Sequence, residues 1–160
     1  MPRRYPARGH SLAAIPLRMA RETKFHLANG VHRVLMKLSG ERLGWRVIGM
    51  PVIELTTTGR KSGQPRSTML TAPLSPGDGY VIVASRGGDP SHPDWFRNIE
   101  ADPLVDVRTR TGTRHMVAKI ASAEERATLW PEITARYPRY AQYQSKTERE
   151  IPVVILEPRH

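Results

Sequence analysis

The chain has no cysteine. That removes disulfides, thiolate metal sites and thiol nucleophiles together. It also has no apolar run long enough to span a bilayer. Near the start, Pro16 and Arg18 interrupt the stretch MPRRYPARGHSLAAIPLRMA, so no continuous apolar h-region forms and the segment does not read as a signal peptide. No GxSxG elbow marks a hydrolase nucleophile. None of His10, His26, His32, His92, His115 and His160 falls in an HExxH pattern or beside acids that would complete a shell, so we expect no metal. Acids are scarce and fall mostly in helices and turns, which disfavours a paired-carboxylate glycosidase.

What the chain does have is positive charge: 25 Lys and Arg against 15 Asp and Glu, a formal net charge of +10 over 160 residues. Such a field attracts polyanions and raises their on-rate. Nucleic acid, an anionic membrane and an acidic metabolite all qualify. The length suits one domain with a real core. Residues 1–40 read as a basic N-terminal extension with an amphipathic helix from about Leu17 to Ser39. Leu27, Val31, Val34, Leu35 and Leu38 form its apolar stripe. Its polar side carries Arg18, Arg21, Lys24, Arg33 and Lys37 against Glu22, and Gly40 is a natural stop.

Residues 41–160 change period. WRVIGMPVIELTTTG is rich in β-branched residues. Val52, Glu54 and Thr56 alternate with Ile53, Leu55 and Thr57, as in a strand with one buried face. GRKSGQP is a turn and RSTMLTAPL the return strand. YVIVAS is a third strand, buried throughout. His92 and Pro93 read as the N-cap and first position of a short helix that ends at Asp102, before Pro103. LVDVRT and RHMVAKIA form a hairpin across RTGT. Ser122 to Glu125 spell a capping box, opening a helix through Leu129, Trp130, Ile133 and Tyr137 that is bent at Pro131. IPVVILEP closes the chain as a buried strand. Six strands joined in order by short turns predict an α+β, mainly β fold: a small antiparallel barrel with helices packed outside.

Three clusters carry chemistry. In TTTGRKSGQPRST, Arg60, Lys61 and Arg66 stand among glycine, serine and threonine with no acid. Planar guanidinium forks and inward amides of such a turn suit phosphate or carboxylate, although the spacing is not that of a Walker A loop. In ASRGGDPSHPDWFRNIEADP, Gly87 and Gly88 permit close backbone approach to a ligand. Trp95 offers a flat wall. In RYPRYAQYQ, Tyr137, Tyr140 and Tyr143 lie three apart. On one helix they would cover about a third of its circumference and could roof a site with phenols.

Together with Arg126, Trp130 and REIPVVILEP, and in this order from about Val52 to Pro158, these segments resemble the deazaflavin-dependent nitroreductases. These are also called F420H2-dependent quinone reductases, of actinobacterial type. The resemblance implies a split β-barrel related to the FMN-binding barrels. It implies reduced coenzyme F420, a polyanion with a phosphodiester and a polyglutamate tail, as hydride donor. It implies a quinone or similar electron-poor acceptor, nitroaromatics included. On this resemblance, phosphate and tail binding fall to Arg60, Lys61, Ser62, Arg66, Ser67, Thr68 and Met69. Contact with the deazaflavin ring falls to Ser85, Arg86, Gly87, Gly88, Trp95 and Asn98. Ser85, Tyr137, Tyr140 and Tyr143 are the expected catalytic residues.

The alternatives are the same barrel using FMN or haem, or a basic nucleic-acid-binding module. The basic residues are not interleaved with exposed aromatics in an RNA or DNA motif, so no nucleic acid partner is expected. We expect a cytoplasmic monomer, with the N-terminal helix as a candidate contact to the inner face of the cell membrane.

Overall fold

The computed structural model describes Arg46, Val47 and residues 49–159. The expected N-terminal helix, and with it the division at residue 40, lies outside the described residues. Among the described residues seven strands form one sheet in the order β1-β2-β5-β6-β7-β4, with β3 pairing β2, and every pairing is antiparallel. The strands are β1 (Arg46–Val47), β2 (Met50–Thr58), β3 (Pro65–Thr71), β4 (Tyr80–Val83), β5 (Leu104–Thr109), β6 (Gly112–Ile120) and β7 (Val153–Pro158). Among them β1 is an addition to the six expected. The helices are α1 (Asp94–Ala101), α2 (Ala123–Arg136) and α3 (Arg139–Gln144).

The alternation read from the sequence sets the inner face. Ile53 and Leu55 on β2, Val105 and Val107 on β5, Met116 and Ala118 on β6, and Val154 and Leu156 on β7 meet in one buried cluster. Each pair is two residues apart, which is what puts both on one side of a pleated strand. β4 shows why YVIV reads as continuously apolar. Ile82 faces this cluster, while Val81 and Val83 face a second one with Ile133, Tyr140 and Val153. The strand is covered on both faces because α2 and α3 pack outside it. Trp95, Phe96 and Ile99 of α1 join the inner cluster, so this helix seals the interior rather than only lying on the outside.

Two local expectations shift. Pro93 is the N-cap of α1, not its first residue, because its ψ of 152° is extended. The helix through Trp130 ends at Arg136, with Tyr137 as its C-cap, and a separate α3 follows Pro138. The tyrosines therefore do not share one helix. The capping box is present as expected: Ser122 accepts from the Glu125 amide, and the Glu125 carboxylate accepts from the Ser122 amide. α2 runs on through Pro131. Among the described residues no helix is long and apolar enough to cross a membrane.

Among the described residues β3 pairs only with β2, and β4 only with β7 apart from a single bridge to Leu74. The curled sheet is thus open between β3 and β4.

Candidate active site

A cleft of about 1110 Å³ occupies this opening. One wall is the basic loop and the whole of β3. The opposite wall is the end of β4, Ser85, Arg86 and Gly87. Pro93, Asp94, Trp95 and Asn98 from the start of α1 and Arg139, Tyr140 and Tyr143 from α3 complete it.

The loop is a tight structure. The Gly59 amide donates to Gln64 O at 2.8 Å and the Gly63 amide to Gly59 O at 2.7 Å. Gly63, with φ of 66°, supplies the left-handed turn. Asn98, a buried residue of α1, ties the loop to the helix. Its Oδ1 accepts from the Arg60 amide at 3.2 Å and from Arg60 Nη1 at 3.1 Å, while its Nδ2 donates to Thr57 Oγ1 at 3.0 Å. Arg60 Nη2 reaches Asp94 Oδ1 at 3.1 Å. Arg60 is therefore an anchor as well as a cation. Lys61, Arg66 and Arg139 line the cleft with no acid paired to them among the described residues. Asp94 is the sole carboxylate among the lining residues, so the walls favour an anion.

Opposite, the chain turns sharply. Arg86, Gly87 and Gly88 all have positive φ, of 46°, 67° and 82°. The strained Arg86 is unusual for a residue with a Cβ. Ser85 is 9% exposed, lines the cleft and makes no side-chain hydrogen bond to the described residues. A buried hydroxyl without a partner at a cleft wall is suited to a ligand.

The tyrosines divide. Tyr140 is buried, with its Oη 3.2 Å from Thr71 Oγ1. Burial holds its phenol above the ordinary value, with the Thr71 hydrogen bond pulling the other way, so it is a protonated donor at neutral pH. Tyr143 stands edge-on to it, ring centroids 6.1 Å apart, with Lys146 Nζ 5.6 Å from its ring. Tyr137 packs against the outer cluster and is not among the lining residues.

Of the remaining expected residues, Ser62, Ser67, Thr68 and Met69 line the cleft with the cations. Ser62 Oγ accepts from the Gln64 amide, and Ser67 Oγ lies 2.8 Å from Thr56 Oγ1. Gly88 does not line it. A Cβ there would lie 2.6 Å from Tyr143 O and 2.9 Å from Lys146 Cβ, so the close approach it allows is to α3, not to a ligand. Sequence reasoning missed Arg149, whose guanidinium holds residues 84–92 from behind. Only its place just before the last strand, far from that loop in sequence, was visible. It also missed Arg139, although that residue stands between the expected tyrosines. His92 Nδ1 accepts from Arg149 Nη1 at 3.2 Å, because arginine only donates. Burial, then the nearby Arg149 charge, lower the His92 pKa from 6.5.

Residues 29–158 match the family model of the F420H(2)-dependent quinone reductases. An F420H(2)-dependent quinone reductase of Mycobacterium tuberculosis is 39% identical over 130 residues, 79% of this chain and 87% of that protein. A solved F420-H2 dependent reductase is 42% identical with a TM-score of 0.60, covering 67% of this chain and 94% of that one. A structure described as a domain-swapped dimer is 38% identical with a TM-score of 0.62, covering 84% and 99%.

Gly88→Ala forces a Cβ into a left-handed residue and into the Tyr143 carbonyl. It is expected to cost about 2 kcal/mol or more, seen as a lower urea midpoint. For His92 the folded pKa lies below the unfolded 6.5, so the unfolded state binds more protons between the two. The stabilisation is complete above 6.5 and lost as pH falls through the folded pKa. The wild-type midpoint should drop more than that of His92→Gln between neutral pH and pH 5; parallel curves would refute this.

Proposed function

The chain belongs to the F420H(2)-dependent quinone reductase family, and we propose that its cleft passes a hydride from reduced coenzyme F420 to a quinone or a similar electron-poor ring. The protein is an oxidoreductase and its cofactor is reduced F420. The observation that carries the assignment of roles is the composition of the cleft. Lys61 and Arg66 on the loop wall have no acid paired to them among the described residues, and the Ser85 hydroxyl on the opposite wall has no hydrogen-bond partner among them. These fit a long polyanion with a polar ring at one end.

In this reading Lys61 and Arg66 hold phosphate and acidic tail, with hydroxyls of Ser67 and Thr68 beside them on β3. Arg60, braced by Asn98 and Asp94, keeps the loop in shape and adds its charge. Trp95 walls the ring. Coenzyme F420 supplies the hydride when bound. Tyr140 and Tyr143 confine the acceptor and exclude water, which brings the reacting centres together. As negative charge grows on an acceptor oxygen, the Ser85 hydroxyl or the protonated Tyr140 phenol donates to it. Tyr137, outside the cleft, supports α3 rather than touching the acceptor. The division of labour calls for no metal.

Membrane contact through residues 1–40 stays a proposal resting on that segment's basic, amphipathic sequence. We place the protein in the cytoplasm, at the inner face of the cell membrane. The domain-swapped relative favours an exchanged dimer over the monomer expected from sequence, since a swap reuses the monomer's own contacts.

Purified protein is expected to oxidise reduced F420 in the presence of menadione, followed by cofactor absorbance. No turnover above background, or turnover with NADPH or reduced flavin instead, would sink the proposal. Tyr140→Phe should lower turnover by about tenfold or more with little change in F420 affinity. Lys61→Ala should do the reverse, most of all with long-tailed cofactor. Full-length protein should sediment with anionic vesicles, and protein lacking residues 1–39 should not. Light scattering on the same samples reads the oligomeric state.

A further inference from the structure

One side chain spends four contacts on one short loop. Arg149 Nε donates to Asp89 O at 2.8 Å, and Nη2 donates to Ala84 O at 3.2 Å and Ser85 O at 3.0 Å. Nη1 reaches His92 Nδ1 at 3.2 Å. Among the described residues no carboxylate lies within ion-pair distance of it. A partly buried guanidinium spent on carbonyls rather than on a carboxylate orients backbone.

The orientation it imposes follows from peptide geometry. In a trans peptide the C=O and the next N–H point in opposite directions, and no peptide here is cis. Drawing the Ala84 and Ser85 carbonyls towards one guanidinium turns the Ser85 and Arg86 amides the other way. Ser85 and Arg86 line the cleft, and Arg149 does not. Ser85 is right-handed (φ −73°, ψ −38°) and Arg86 is left-handed (φ 46°). That succession makes concave sets of amides that bind anions. Ser85 is nine-tenths buried, and its hydroxyl, which has no partner among the described residues, is at the same place.

We propose that Arg149 is a positioning residue that presets an oxygen-binding cradle. The cradle consists of the Ser85 and Arg86 amides and the Ser85 hydroxyl, and it receives a ring oxygen on which negative charge sits or develops. Gln144 backs it up. Its Nε2 donates to Arg149 O at 2.9 Å, its Oε1 accepts from the Ile151 amide at 2.9 Å, and Arg126 Nη2 donates to the same Oε1 at 3.3 Å. The segment bearing Arg149 is thus pinned to α2 and α3. The proposal rests on the cleft being the hydride-transfer site.

The test compares wild type, Arg149→Ala and Arg149→Lys. Lysine keeps the charge but lacks the fork that spans separate carbonyls. Turnover of reduced F420 with menadione is expected to fall about tenfold or more in Arg149→Ala and by less in Arg149→Lys. Cofactor affinity, read from quenching of tryptophan fluorescence by oxidised F420, should move less than turnover. Added guanidinium ion should restore part of the Arg149→Ala rate. In protein without cofactor, hydrogen exchange at the Gly88 and Asp89 amides, which close the turn, should speed up while that of β6 and β7 does not. Wild-type turnover in both variants, or a loss that tracks the unfolded fraction and ignores guanidinium, would overturn the proposal. If Arg149→Ala does not fold, Arg149→Lys carries the comparison. Absence of turnover in wild type refutes the function instead, and the exchange rates then decide the role of Arg149 alone.

Discussion

β3 and β4 do not pair with each other among the described residues, and the rest of the molecule is arranged around that gap. An unpaired strand edge presents backbone groups that something else must meet. Here the opening becomes a cleft, and the segments beside it are the loop that precedes β3 and the loop that follows β4. The inner core forms regardless, since it needs only the period-two faces of β2, β5, β6 and β7 and the apolar side of α1. Keeping the gap open at a defined width is a separate problem, and apolar packing does not solve it.

Polar side chains with many hydrogen bonds do so instead. Asn98 joins α1 to the basic loop and to β2, and Arg149 joins the last segment to the loop after β4. Each reaches across more than thirty residues of sequence. Each is shielded enough that losing a partner would leave a poorly hydrated polar group, which is costly. Gly88 removes the last obstacle, letting the strained turn sit against the Tyr143 carbonyl. The two walls of the cleft and the tyrosine helix are therefore braced together, which suits a reaction that depends on proximity and orientation.

Much of this was legible beforehand. Strand faces, the hairpins and the Ser122 capping box follow from local rules about alternation, turns and caps. The basic loop was legible as three cations with no acid beside them in sequence, but that alone left a solvated hairpin tip as open as an anion site, and that Arg60 pairs with Asp94 was not visible. The three tyrosines were over-read. Spacing of three suggested one helical face, but Pro138 divides the segment, leaving Tyr137 as a cap and only Tyr140 and Tyr143 at the cleft. Gly88 was over-read too, because a glycine's need for space does not say which neighbour takes it.

The sequence by itself determined the strands, their buried faces, the sign of the cleft's charge and the family to which these motifs belong, since each depends on residues near one another in the chain or on composition. Tertiary structure alone decided that Arg60 is an anchor, that Asn98 braces rather than merely faces a ligand, and that Arg149 stands behind Ser85. Those roles come from hydrogen bonds between segments 34 to 65 residues apart. No local pattern encodes such a pairing; only the closing of the curled sheet brings the partners together.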